Sequence, residues 1–142
     1  MKAVLDDVFG KDFFSTDEKE RFCDYYDLLK SWNEKFNLTA ITDEKGVAVK
    51  HFFDSLTAMK YLPENSKILD VGSGAGFPAL PLAIMRKDCD FTLMEATGKK
   101  VAFLKEVRAR LRLENVNPVH ARAEESASLR ESFDVVTARA VA

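Results

Sequence analysis

The segment Asp70-Val71-Gly72-Ser73-Gly74-Ala75-Gly76-Phe77-Pro78 constrains this chain most, because three alternating glycines follow directly on the apolar run Ile68-Leu69-Asp70-Val71. A short apolar run ending in glycines reads as a buried strand. Glycine reaches positive φ without a Cβ clash and lets a ligand approach the backbone. A helix predicted from Pro78 to Arg86 carries proline near its first turn, where the missing N–H costs nothing. Strand, glycine turn and helix N-terminus together present free N–H groups to polar ligand atoms. They predict a nucleotide-like ligand at the carboxyl end of the strand.

The rest of the chain extends this unit. Asp90 to Glu95 reads as a second strand, Val116 to His120 as a third and Phe133 to Thr137 as a fourth, with a short helix between the last two. Thr97 is placed to cap a helix whose Val101, Leu104, Val107 and Leu111 share one face. Such alternation predicts an α/β fold, a parallel sheet with helices on both faces. Before it, Ser15 and Glu18 have capping-box spacing. Phe22, Tyr25, Leu29, Trp32 and Phe36 then recur at helical steps until Asn37-Leu38-Thr39. A further helix, starting after Asp43 or Gly46 and ending before Pro63, places Val49, Phe52 or Phe53, Leu56 and Met59 on one side. Both stripes predict core packing. The expected organisation is an N-terminal helical segment, 1–62, packed on a ligand-binding core, 63–142.

Composition excludes several classes. A chain of 142 residues, 46% hydrophobic and with eleven Phe, has the length of one domain and the means to build a core. No apolar run approaches the roughly 20 residues that cross a bilayer, and the acidic start lacks a signal-peptide stretch. A cytoplasmic protein with no membrane partner is expected. Cys23 and Cys89 cannot form a disulfide framework and read as small buried hydrophobes. With His51 and His120 they are scattered singly, so no metal site is expected. Net charge is −2, yet residues 96–112 hold Lys99, Lys100, Lys105, Arg108, Arg110 and Arg112 against Glu106 alone. Such a stripe can attract a polyanion.

Spacing narrows the chemistry. The glycines fall as G-x-G-x-G, with Phe77 where a dinucleotide fingerprint G-x-G-x-x-G has its third glycine. A P-loop and a G-x-S-x-G nucleophile elbow are absent as well. Glu95, at the end of the second strand, is placed to accept hydrogen bonds from ribose hydroxyls. Glu124 and Glu125, after the third, could flank an adenine. The ordered set points to an adenosyl cofactor.

Five blocks carry a resemblance across about two-thirds of the chain. They are Asn37-Leu38-Thr39, Lys50-His51-Phe52-Phe53-Asp54-Ser55-Leu56, the glycine segment 70–78, Gly98-Lys99-Lys100-Val101-Ala102-Phe103-Leu104, and Phe133-Asp134-Val135-Val136-Thr137-Ala138-Arg139-Ala140. In these the sequence resembles the bacterial small-subunit ribosomal RNA methyltransferase G family, also called glucose-inhibited division protein B. The resemblance implies a class I S-adenosylmethionine-dependent methyltransferase fold, Rossmann-like, with an N-terminal helical extension. It implies S-adenosyl-L-methionine as cofactor and N7 of a guanine in 16S ribosomal RNA, free or in the small ribosomal subunit, as acceptor. A non-catalytic RNA- or ribosome-binding module that keeps the fold is the alternative.

By that resemblance Gly72 and Phe77 line the cofactor site, to which the glycine turn adds Gly74 and Gly76; Glu95 stands where class I methyltransferases hold the ribose, Ala123 and Glu124 contact the adenosine, and Arg139 lies beside it. Lys99 and Lys100 are the candidates for RNA phosphate contact. His51, Asp54 and Ser55 match a family motif without an assigned role. His51 and His120 are expected to make structural hydrogen bonds. No catalytic residue is assigned, since guanine N7 already carries its lone pair and orientation can supply most of the catalysis. Ala79, where a glycine is expected, and Ala96-Thr97 depart from the pattern. Family members continue past the Arg139 block, so the sheet is expected to be incomplete after the fourth strand. Such an edge invites self-association, in a destabilised fragment.

Overall fold

The computed structural model describes residues 1–139; Ala140, the end of the last resemblance block, lies outside them. Four parallel strands, β1 (Lys67–Val71), β2 (Asp90–Glu95), β3 (Val116–His120) and β4 (Val135–Ala138), form one sheet in the order β3-β2-β1-β4. Ile68 stands opposite Phe91 and Val135, and Asp70 opposite Leu93 and Thr137. The expected β4 begins two residues earlier than the observed one.

Between the strands run α5 (Ala79–Met85) and α6 (Gly98–Leu111). Both crossovers step the same way along the sheet, so right-handed connections put both helices on one face. The return from β3 to β4 runs the other way and crosses the opposite face. Helices on both faces were expected, but this return holds only 3₁₀ turns, Ala123–Ser128 and Arg130–Ser132. Ser126 and Ser128 hydroxyls donate to the carbonyls of Ala123 and Glu125 there, and such local bonds compete with an α-helix.

Over α5 and α6 lies α2 (Thr16–Asn33), begun by the expected capping box: Glu18 N–H donates to Ser15 Oγ at 3.1 Å and Ser15 N–H to Glu18 Oε1 at 2.8 Å. Asn33 ends it, its Oδ1 accepting from the N–H groups of Leu38 and Thr39. Phe36 therefore falls in the turn beyond the helix, still beside Trp32. A preceding helix, α1 (Lys2–Phe9), has no counterpart in the sequence reading; it is two turns long and buries Leu5 alone.

The segment 44–56 is a single helical rod with an altered middle. Its ends, α3 (Glu44–Gly46) and α4 (Asp54–Leu56), are α-helical, whereas Val47–Phe53 is π-wound. Asp43 caps it, accepting from Gly46 N–H. The wider π turn shifts the buried stripe to Val47, Ala48, His51 and Phe52. Val49, expected inside from the 3.6-residue period, is 40% exposed, and Phe53 faces outward as well. An aromatic series through Phe14, Phe22, Phe52, Tyr25 and Phe77 ties the N-terminal helices to the glycine turn. The core is continuous from Leu5 to Val116. Cys89 is buried as expected, but Cys23 is only half-buried.

Candidate functional site

The turn after β1 holds Gly72, Gly74 and Gly76 at φ +70°, +56° and +97°. Gly72 and Ser73 N–H groups donate to Met94 O, tying the turn to β2. The three glycines serve different ends. A Cβ on Gly72 would meet open space and one on Gly74 only the Gly72 carbonyl at 3.9 Å, so these two keep the floor of the site clear. A Cβ on Gly76 would run into Leu80 and lie 2.8 Å from the Tyr25 hydroxyl. That hydroxyl donates to Ala75 O at 2.6 Å; burial pushes its pKa well up, so it stays protonated.

Two buried carboxylates hold the turn from below. Glu95 accepts from Gly74 N–H at 2.9 Å on Oε1 and from Thr97 N–H at 2.7 Å on Oε2. Thr97 thus occupies the N-cap of α6, but its own hydroxyl caps nothing, contrary to expectation. Asp70 accepts from the Ser73 hydroxyl at 2.6 Å and from the Thr137 hydroxyl at 2.7 Å. Burial raises its pKa to about 6, the two hydroxyl donors pulling the other way.

From the π-wound helix, His51 reaches the same place. Its Nε2 lies 2.8 Å from Thr39 Oγ1 and its Nδ1 3.1 Å from an Arg139 guanidinium nitrogen, and its ring lies flat on Phe77. Arg139 also donates to Lys50 O at 3.0 Å and to Asp54 at 3.4 Å. Burial first, and the Arg139 charge second, lower the His51 pKa to about 4, so it is neutral at pH 7.

These elements enclose a cavity of about 710 Å³, walled by residues 38–40, His51, residues 72–75, Phe77 and Arg139. Its volume is that of a small-molecule site. Of the residues singled out from the sequence, Gly72, Gly74, Phe77 and Arg139 stand in its wall. Gly76 lies beneath, and Glu95 is one hydrogen bond behind Gly74. Ala123 and Glu124 are exposed on the 3₁₀ turn after β3, outside that wall. Lys99 and Lys100 sit on the first turn of α6; Lys99 lies over the Phe36 ring, in a separate groove of about 350 Å³ with Trp32 and Lys35. His120 bonds Ala96 O. Thr39, Tyr25 and Asp70 carry the site without having been assigned to it. Thr39 and Asp70 stand in resemblance blocks, the one hint of their place, whereas Tyr25 lies outside all five.

The family of rRNA small subunit methyltransferase G, GidB, matches residues 18–142. The chain belongs to this family. A GidB-family protein of Clostridium perfringens, named Ribosomal RNA small subunit methyltransferase G, is 48% identical over all of this chain and 61% of its own length. A Staphylococcus carnosus protein of the same name is 48% identical over 88% of this chain and 55% of its own. The chain thus spans about three-fifths of the length of these GidB relatives. The fold is that of class I methyltransferases. A Plasmodium falciparum protein described as a protein-L-isoaspartate O-methyltransferase, solved with S-adenosyl-L-homocysteine, superposes with TM-score 0.61 at 18% identity over 99% of this chain and 73% of its own. A precorrin-6y C5,15-methyltransferase of Geobacter metallireducens does so with TM-score 0.57 at 16% identity, over 75% of this chain and 55% of its own.

Proposed function

We propose that this chain is the cofactor-binding part of an S-adenosyl-L-methionine-dependent methyltransferase acting on N7 of a guanine in 16S ribosomal RNA. The observation that carries the reading is the 710 Å³ cavity with an open glycine floor at Gly72 and Gly74, in a chain of the GidB family. The residues present suit such a cofactor: bare backbone on one side, an aromatic wall at Phe77, and carboxylates that already order the loop.

When bound, the cofactor supplies an electrophilic methyl group. Gly72 and Gly74 let it approach the backbone, with Gly76 fixing the turn beneath them. Glu95 keeps a second lone pair on each oxygen for ribose hydroxyls, while its bonds to Gly74 and Thr97 hold it still. Ala123 and Glu124 serve the adenine end, and Arg139 closes the end beyond β4. Lys99 and Lys100 contact RNA phosphates, and phosphate contacts of this kind position a nucleic acid without reading it. His51, neutral and engaged at both nitrogens, is no general base. Attack by guanine N7 requires none, so orientation carries the catalysis.

Residues 1–62 act as a helical segment that packs on the core 63–142 and also brings residues 38–40 and His51 to the cavity wall. The working compartment is the cytoplasm, where ribosomal RNA lies, and the side of β4 that pairs with no strand among the described residues is the surface for self-association. Titration calorimetry with S-adenosyl-L-homocysteine, with NAD in parallel, tests the reading. Near-stoichiometric binding of the first alone is expected, followed by labelled methyl transfer to 16S ribosomal RNA. Binding of NAD, or of neither, overturns it.

A further inference from the structure

We propose that the Thr39 hydroxyl is the donor that selects guanine over adenine, by hydrogen bonding to the purine 6-oxygen in the cavity. The inference rests on the reading above and adds a specificity residue to it.

A guanidinium has donors only and stays protonated. The Arg139 nitrogen 3.1 Å from His51 Nδ1 therefore donates, and Nδ1 accepts with its lone pair. A neutral imidazole carries one proton, which must then sit on Nε2. Nε2–H points at Thr39 Oγ1, 2.8 Å away. The same oxygen accepts from Ile41 N–H at 3.1 Å. A hydroxyl has two acceptor lone pairs and one proton, so both acceptor sites of Thr39 are filled from within the chain. Only its O–H remains. Among the described residues it has no acceptor, and Thr39 stands in the cavity wall. The π-wound helix and the residue after β4 thereby turn an ambivalent hydroxyl into an obligatory donor.

Arg139 is already bonded to His51, Lys50 O and Asp54, and His51 is neutral, so the donor left open at this end of the cavity is an uncharged hydroxyl, able to serve a purine carbonyl oxygen. Through His51, Thr39 is linked to Arg139, the residue after β4, whereas Glu95 ends β2 on the other side of β1. Along the edge that carries purine N7, guanine presents O6, an acceptor, and adenine presents N6–H₂, a donor. The donor held by His51 pairs with the first and opposes the second.

The test uses the chain saturated with S-adenosyl-L-homocysteine and titrated with guanosine, inosine and adenosine, in wild type, Thr39→Ser and Thr39→Val. Guanosine and inosine, which share O6, are expected to bind about tenfold tighter than adenosine, the order of one base-edge contact. Thr39→Ser keeps the ratio and Thr39→Val brings it to about one. ¹⁵N spectra of the imidazole should show His51 protonated on Nε2 alone at pH 7. A ratio that survives Thr39→Val overturns the proposal, as does a proton on Nδ1. So does a loss of S-adenosyl-L-homocysteine affinity in Thr39→Val that 5′-methylthioadenosine does not share, since the hydroxyl would then serve the cofactor's carboxylate. Wild type that takes up no S-adenosyl-L-homocysteine is the separate failure of the cofactor reading, and uptake without purine discrimination overturns the Thr39 assignment alone.

Discussion

The imidazole of His51 lies flat on the ring of Phe77, with 4.3 Å between centroids and 8° between planes. One ring comes from the π-wound helix and the other from the glycine turn, so this stack joins the two walls of the cavity. Phe77 is 4% exposed and also meets Tyr25 and Phe52. Phe77→Ala is expected to cost about 3–5 kcal/mol, as buried Phe truncations do. Urea unfolding measures it, and a loss below about 1 kcal/mol would mean that the stack holds nothing together.

Gly76 and Gly10 share a positive φ, +97° and +95°, but have opposite surroundings. An added Cβ at Gly10 meets nothing within 4 Å, whereas at Gly76 it strikes Leu80 and crowds Tyr25. At φ +95° and ψ 148° Gly10 lies in an extended positive-φ conformation that essentially only glycine adopts, so Gly10→Ala should cost that backbone strain alone, about 1–3 kcal/mol. Gly76→Ala should cost its own positive-φ strain plus about 1–3 kcal/mol of overpacking. Equal midpoints for the two variants in a denaturant melt would refute the steric account of Gly76.

Glu95→Gln keeps the shape of the side chain but removes one of its two acceptors. An amide can satisfy Gly74 N–H or Thr97 N–H with its oxygen and must turn its NH₂ toward the other. The expected loss is about 1–3 kcal/mol, the cost of a buried donor left unpaired. S-adenosyl-L-homocysteine affinity should weaken with it, since the glycine floor is held by that carboxylate. Unaltered stability and affinity would show that the loop orders itself.

Asp70 and His51 pull stability in opposite directions as pH changes. Asp70 titrates at about 6 when folded, above the ordinary carboxylate value, so the folded chain holds a proton the unfolded chain has released. That contribution is complete below about pH 4 and is lost as pH rises through 6. His51 titrates at about 4 when folded. Its contribution is complete above about pH 6.5 and is lost as pH falls through 4. Between pH 4 and 6 the two slopes oppose each other. Asp70→Asn leaves the His51 slope alone, so the variant should lose stability on acidification faster than wild type. The gap should grow toward pH 4 by up to about 3 kcal/mol. Urea midpoints at several pH values check this, and a constant gap would place the Asp70 pKa near its ordinary value.

The two central strands, β1 and β2, were legible because each is a short apolar run bounded by glycine or charge and is buried along most of its length, whereas β3 and β4 expose alternate residues. The capping box at Ser15 and Glu18 was legible for a similar reason, since both partners lie within one helical turn. Val49 was misplaced because periodicity assumes 3.6 residues per turn, and a π turn changes the phase without changing a residue. Phe36 was misplaced because the Asn33 side chain takes over the N–H groups of Leu38 and Thr39.

The sequence by itself determined the four strands and the helices between the first three, the positive-φ turn after β1, and an acid at the end of β2, since each depends on neighbours a few residues apart. Only the tertiary structure decided that Thr39, His51, Phe77 and Arg139 meet, across as many as 100 residues of chain. It likewise decided that Glu95 is bonded to the turn and that Lys99 lies over Phe36. The reason is physical: a hydrogen bond or ring stack between distant residues depends on how the helices pack over the sheet, which the local pattern of side chains does not encode.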